Sequence, residues 1–397
     1  MTTESIIGIT SGLIAIGTFV FSVWAGFKKL SLANVMNRLV DKNLSTKWHQ
    51  RILKWMNFLL PGHPINKKYI QDFVLNDRGK EAVFKDMCLK NNIEPTKEIC
   101  MKFLKADMPK FRAEFQSKRV TVYMSGVLKE RYPQTCNNLI KILEKHHITY
   151  AFLKGTKDIW CRDYMPVQLE SGKLIQFRYE PSYLKGKQEW EESRSDVKEV
   201  CQKNHIKAEI SDINLDGGNV LICDGRAILS DRIFGENPEY DKDTLIKELS
   251  HLLECEIIII PSLRSKDEDF TGHADGMVRF VNRNTIVGNN RAGEYKYWQD
   301  GMKKVIDTYN LTYIDVPCVT NIRDSKHPDS AIGIYVNYLE VNDLIVVPEF
   351  GIKEDKEAVA VLKKAFPNKQ IKTINYNDIA LEGGLLNCTT WVVKKKQ

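Results

Sequence analysis

From Arg119 onward, short runs of β-branched and aromatic residues alternate with helical stretches, and glycine or aspartate stands at many of the strand ends. Val120-Thr121-Val122-Tyr123-Met124 opens the pattern, a helical stretch follows at 134–146, and 150–153 reads as the next strand. Strand signals recur at 174–177, 220–222, 226–229, 257–260, 277–281, 285–287, 344–347 and 391–393, with helical stretches at 242–253, 295–308 and 353–365 between them. This alternation predicts the α/β class. Polar and glycine-rich strand ends predict a site assembled from several loops.

The amino terminus is different. Residues 6–26 (IIGITSGLIAIGTFVFSVWAG) are uncharged, and about 20 residues suffice to cross a ~30 Å hydrocarbon core as a helix. Trp24 suits an interfacial anchor. Only Glu4 is charged ahead of the stretch, which disfavours a cleaved signal peptide. Positive charge follows it at Lys28, Lys29, Arg38, Lys42, Lys47, Arg51 and Lys54, against Asp41 alone. The expected organisation is therefore a single-pass membrane anchor over 1–27, a basic helical juxtamembrane region over 28–116, and a catalytic domain over 117–397 facing the cytoplasm. A signal peptide and a buried core helix are the alternatives for the first segment. Within 28–116, Trp55, Phe58, Leu59 and Leu60 make a membrane-hugging face. No catalytic constellation stands there, and a spacer or docking module is the reading.

Nine scattered cysteines, an odd number without a CxxC pair, argue against a disulfide framework and a structural zinc site and favour a reducing compartment. The net charge of +7 is mild, and no basic stripe interleaved with aromatics marks the C-terminal two-thirds, so no nucleic-acid partner is predicted.

Four segments carry chemistry: Trp160-Cys161-Arg162-Asp163, Leu215-Asp216-Gly217-Gly218-Asn219, Thr271-Gly272-His273-Ala274-Asp275, and Gly383-Gly384-Leu385-Leu386-Asn387-Cys388. Each has a bland reading by itself: a buried inert thiol, a casual surface histidine, a tight turn, and for Arg162 a structural ion pair. Together they suit one substrate type, a guanidinium, which stays protonated at physiological pH. Carboxylates accept its forked hydrogen bonds, a thiolate attacks its carbon, and an imidazole protonates the leaving nitrogen and then activates water. On a strand or extended loop, His273 and Asp275, two residues apart, would face one pocket. No second histidine-rich cluster completes a metal site. Asn337, polar within Tyr335-Val336-Asn337-Tyr338, reads either as a satisfied core amide in a strand or as a site residue.

In this order and spacing the four segments resemble the agmatine deiminase and bacterial-type peptidylarginine deiminase family, within the guanidino-group-modifying superfamily. The likeness runs from Arg119 to Val393 and takes in Tyr335-Val336-Asn337 and Val346-Val347-Pro348-Glu349-Phe350-Gly351. It implies a pseudo-fivefold α/β propeller of ββαβ modules, and covalent catalysis with neither metal nor cofactor. By that resemblance Cys388 is the nucleophile and His273 the general acid and then base. Asp163 and Asp275 grip the guanidinium, and Asp216 orients His273 from a position where relatives usually carry Glu. Asn337 and Trp160 belong to the substrate-binding set. The chain departs from the pattern at Asn387, where relatives commonly have His, and at Met165, where they have Gly.

The expected reaction is hydrolysis of a guanidino group to a ureido group plus ammonia. Agmatine going to N-carbamoylputrescine leads, as in putrescine biosynthesis, with peptidyl- or free arginine behind it. An amidinotransferase and a non-catalytic guanidine-binding protein are the alternatives. Arg178 is expected to pair with a substrate carboxylate if the substrate is arginine-like. A homo-oligomer is left open.

Overall fold

The computed structural model describes residues 120–263, 271–319 and 327–394. The membrane anchor and the juxtamembrane region expected over 1–116 lie outside the described residues. Among the described residues no helix is long and apolar enough to cross a membrane.

Small mixed sheets interleaved with helices make the α/β fold. Strand β1 (Val120–Ser125) pairs in parallel with β2 (Thr149–Leu153). The second sheet runs β3 (Val167–Gln168), β4 (Leu174–Arg178), β5 (Glu209–Asn214), and the third β6 (Leu221–Cys223), β7 (Arg226–Ser230), β8 (Glu256–Ile260). The fourth runs β9 (Val278–Asn282), β10 (Thr285–Asn289), β11 (Thr312–Val316), and the fifth β12 (Leu339–Val341), β13 (Leu344–Glu349), β14 (Gln370–Asn375). Finally β15 (Thr390–Lys394) returns to pair antiparallel with β1. In each sheet the middle strand pairs antiparallel on one side and parallel on the other. A parallel pair needs a crossover, and helices supply it.

The longer crossover helices are α1 (Pro133–Lys145), α2 (Val197–Lys203), α3 (Lys242–Leu253), α4 (Lys296–Tyr309) and α5 (Glu354–Ala365). Their sequences carry their own boundaries. Pro133 occupies the first turn of α1, where a missing N–H costs nothing. The Asp241 side chain caps Thr244 N–H at 3.0 Å to start α3, which buries Leu245, Leu249 and Leu253 along one face. Helix α5 opens with Glu354, Asp355 and Glu357 and closes with Lys363 and Lys364, in accord with the helix dipole. Middle strands such as β13, buried from Leu344 through Pro348, fill the interior; β5 and β14 are partly exposed.

One buried carboxylate knots the fifth sheet to its helix. Asp355 accepts the N–H groups of Phe350 (3.1 Å), Gly351 (2.7 Å) and Ile352 (3.0 Å), and the Tyr335 hydroxyl at 2.8 Å. Hydrogen bonds to a charged group are worth about 1.5–3 kcal/mol each, and they are not independent. Asp355→Ala is therefore expected to lower the unfolding free energy by about 2–4 kcal/mol, read from the urea midpoint at constant slope.

The closing strand also builds the site. Pairing β15 with β1 brings the turn ahead of Thr390 against residues 160–164: Arg162 N–H donates to Cys388 O at 3.0 Å, and the Cys161 thiol to Thr389 O at 3.2 Å. The strand expected through Tyr335–Tyr338 is absent; Asn337 sits in a bend before β12. Its side chain accepts the N–H groups of Asn387 (3.0 Å) and Cys388 (3.4 Å), linking this bend to the nucleophile's loop instead of to a neighbouring strand.

Candidate active site

Asp163 rides on a single helical turn, Cys161–Tyr164, wedged between the Gly217-Gly218 turn and the Cys388 loop. Gly218 N–H donates to Asp163 Oδ1 at 3.2 Å. A side chain at either glycine is excluded by close approach: a Cβ at 217 would meet Arg162 O at 2.1 Å, and one at 218 would meet Asp163 Oδ1 at 2.5 Å and His273 Nδ1 at 2.9 Å. Asn219 fastens the next piece, its Oδ1 accepting from Ser230 N at the end of β7 (2.9 Å) and from Ala274 N (3.2 Å).

His273 and Asp275 do not lie on one strand, as the two-residue spacing suggested. His273 is extended and caps a 3-10 turn, Ala274–Gly276, that carries Asp275. Both side chains line the same cavity, the imidazole from the extended residue and the Asp275 carboxyl from the turn that follows it.

That cavity has a volume of about 500 Å³, and Trp160, Asp163, His273, Asp275, Asn337 and Cys388 all line it. Cys388 Sγ accepts from Asn337 Nδ2 at 3.2 Å and lies 3.9 Å from Asp275 Oδ2. The same Asp275 oxygen accepts from Asn387 Nδ2 at 2.6 Å. On the imidazole, Nε2 meets Asp216 Oδ2 at 2.6 Å and Nδ1 faces Asp163 Oδ1 at 3.5 Å. Asp216, which does not line the cavity, thus lies behind the histidine, fixing its ring orientation.

Arg178 is not part of this constellation. It points to the surface, where its Nη2 donates to Glu239 Oε1 at 2.9 Å, and it does not line the cavity. Among the described residues Arg162 makes no ion pair of the kind expected; its Nε reaches the carbonyl of Asn387 at 3.4 Å. Residues that the sequence did not single out also line the cavity. Asp158 is buried, with Oδ1 accepting Trp160 N–H at 2.8 Å; Tyr183 stands edge-on to His273 with ring centroids 6.0 Å apart; Trp190 comes from the helical turn Gln188–Ser193. Only Asp158 had a signal, lying five residues before Asp163 in the same segment.

The electrostatics are those of an anionic, water-poor site. Burial, then Asp275 and Asp163, hold the Cys388 thiol well above its ordinary value. Burial alone would lower the His273 imidazole, but Asp163, the hydrogen bond to Asp216 and the Asp275 charge raise it to about 10. Burial likewise pushes the Asp163 carboxyl up to about 8, against the pull of His273, with Asp216 and Asp275 adding repulsion. Both groups bind their protons more tightly in the folded, empty site than in the unfolded chain. The stability contributed by His273 is complete below an unfolded pKa of about 6.5 and is lost as pH rises through 10; that linked to Asp163 declines from about 3.9 up to 8. The melting temperature of the ligand-free protein is expected to fall between pH 7 and 10, and His273→Asn to flatten that slope. A melting temperature that rises over this range contradicts the assignment.

Among the described residues no group of three or more His, Cys, Asp or Glu is set to hold a metal ion, and the cysteines are free thiols. Chemically, the arrangement offers a thiol, a protonated imidazole and two carboxyl groups to whatever enters the cavity, and a bound cation favours the ionised form of both carboxyls.

Residues 91–393 match the model of the Porphyromonas-type peptidyl-arginine deiminase family. The chain belongs to that family. The match begins upstream of Arg119, where the likeness was read from the sequence. Among similar proteins, an inferred agmatine deiminase of Enterococcus faecalis is 20% identical over 233 residues, covering 51% of this chain and 63% of the relative, so the match spans less than two thirds of that protein's length. An inferred agmatine deiminase of Listeria monocytogenes is 23% identical over 281 residues, covering 59% and 73%. Among solved structures, the agmatine deiminase of C. jejuni superposes with a TM-score of 0.56 at 18% identity, over 70% of this chain and 93% of that one. At that identity the likeness supports the mixed α/β fold of the peptidyl-arginine deiminase family member described here.

Proposed function

We propose that this protein is a guanidine deiminase that hydrolyses a guanidino group to a ureido group and ammonia through a covalent cysteine intermediate. The observation that carries it is the convergence of Cys388, His273, Asp163 and Asp275 on one cavity, with Asp275 Oδ2 3.9 Å from the sulfur. Asp163 and Asp275 accept hydrogen bonds from the guanidinium nitrogens. The cation's charge reverses the repulsion that keeps the thiol protonated, so Cys388 gives up its proton to solvent as the substrate binds. Its thiolate forms the S–C bond to the guanidinium carbon. The imidazolium of His273 donates a proton to the departing nitrogen, and the C–N bond breaks with loss of ammonia. The now neutral imidazole takes a proton from water, whose oxygen attacks the amidino-thioether carbon. The C–S bond breaks with its electron pair returning to sulfur, the O–H proton of the adduct passes to solvent as the C=O forms, and the ureido product leaves.

Agmatine is the leading substrate. Beyond Asp163 and Asp275 the cavity is lined by Asp158, Glu189, Asp329 and Glu382 against Arg131 and Lys157, and Arg131 is bound to Glu382 at 2.6 Å. Such a lining suits a second positive charge better than a carboxylate, and Arg178 is engaged elsewhere. The relatives named as agmatine deiminases agree with this choice. Five sheets of one pattern, the first completed by the last strand, support reading them as the ββαβ blades of a pseudo-fivefold propeller. Residues 6–26 serve as the membrane tether in this reading, with the catalytic domain cytoplasmic.

The test is a ureido-product and ammonia assay on the purified full-length protein with agmatine, arginine and arginyl peptides in parallel. Agmatine is expected to give equal amounts of ureido product and ammonia and to exceed the others in kcat/KM. An amidino product without ammonia would make the protein an amidinotransferase, and binding with no product a receptor.

A further inference from the structure

Two guanidinium groups that do not line the cavity grip the backbone of the segments carrying Cys388 and Asn337. The Arg162 side chain donates from Nε to Asn387 O at 3.4 Å, an oxygen shared with Thr390 N–H at 3.3 Å, while its main-chain N–H, which every substitution at 162 except proline keeps, donates to Cys388 O at 3.0 Å. The other end of the Asn387–Cys388 peptide unit, Cys388 N–H, points at Asn337 Oδ1 at 3.4 Å. The peptide plane that aims the nucleophile's side chain is thus held from its carbonyl by Arg162 and from its N–H by Asn337. Arg279 does the corresponding work for Asn337. Its Nη1 donates to Tyr338 O at 2.9 Å, its guanidinium lies 4.5 Å over the Tyr338 ring, and its side chain is 11% exposed.

We infer that Arg162, assisted by Arg279, is a positioning residue that fixes the attack geometry of Cys388 relative to Asp163. Asp163 follows Arg162 directly in the chain, and Gly217 closes on the Arg162 carbonyl from the other segment. One rigid turn therefore sets both the carboxylate that holds a guanidinium and the loop that presents the thiol to it. Carbonyl oxygens are suitable acceptors because they hold a cation without adding a fourth anion to Asp163, Asp216 and Asp275. Reacting atoms must be held about 3–3.5 Å apart with their orbitals aligned, and a misplacement of about 1 Å costs about 100-fold in rate. The inference rests on Cys388 being the nucleophile of the deiminase reading, and the test separates the two.

Arg162→Ala and Arg162→Lys are compared in the full-length protein by agmatine turnover and by covalent labelling of Cys388 with 2-chloroacetamidine, an amidinium that docks on carboxylates and alkylates a thiolate. Arg162→Ala is expected to lower kcat and the saturating labelling rate by roughly 100-fold, with KM and the half-saturating reagent concentration nearly unchanged. Arg162→Lys, still able to reach the carbonyl, recovers most of both. Wild-type kcat and labelling in Arg162→Ala overturn the inference; so does a loss confined to KM and half-saturation. If the alanine variant does not fold, Arg162→Gln and Arg279→Lys take its place, and the same rate-selective loss must appear in them. A wild-type protein that labels at Cys388 with saturation yet yields no ureido product from any guanidine refutes the deiminase reading while leaving the labelling comparison intact.

Discussion

Cys388→Ser is expected to lower turnover of any guanidino substrate roughly ten-thousand-fold or more, with the fold unchanged. Serine keeps a hydrogen-bonding atom opposite Asn337 Nδ2, which now lies 3.2 Å from the sulfur. Stability should move by no more than about 1 kcal/mol. What is lost is the nucleophile's acidity. A bound guanidinium can draw a thiol down from the raised value that burial, Asp275 and Asp163 impose, but a hydroxyl starts several units higher. Removing a nucleophile that acts in concert with its acid and base removes nearly the whole chemical advantage of the site. Guanidine binding should survive in this variant, since Asp163 and Asp275 are untouched. Retained turnover would mean that another group attacks.

Gly218→Ala is expected to cost about 100-fold in kcat/KM and to lower the unfolding free energy, because buried groups must move aside. Gly218 does not have the positive φ that would penalise alanine. The added methyl group instead meets Asp163 Oδ1 at 2.5 Å, His273 Nδ1 at 2.9 Å and Asp275 Oδ2 at 3.3 Å. Three of the four reacting side chains must therefore shift, while the thiol stays in place. The expected signature is a fall in both kcat and guanidine affinity beside an unaltered rate of Cys388 alkylation by a small neutral reagent. Activity near wild type would show that the carboxylates and imidazole converge less tightly than described.

Much of this arrangement was legible in the chain itself, for identifiable reasons. Strands such as β7, β8, β10 and β13 are nearly continuous apolar runs, and α3, α4 and α5 carry amphipathic spacing, so each stood out. Some edge strands did not. Glu209–Asn214 and Gln370–Asn375 border narrow sheets, face solvent along much of their length, and lack the apolar run that marks a buried strand. Asp216 and His273, each beside a glycine, and Cys388, shortly after a glycine pair, pointed toward one site because such backbone allows close approach. The sequence could not tell that His273 and Asp275 meet through a 3-10 turn, nor that Asn337 bends out of the strand pattern to hold a loop 50 residues away. Arg178 failed for a related reason: its partner, Glu239, is remote in sequence and nothing local announces it.

The most direct test of the covalent account is an acid-quenched single turnover of agmatine, followed by mass analysis of the peptide containing Cys388. The account predicts a transient amidino adduct on that cysteine, appearing with ammonia release and decaying as ureido product forms. Agmatine consumed while the Cys388 peptide stays unmodified throughout, or an adduct found on any other residue, would contradict it.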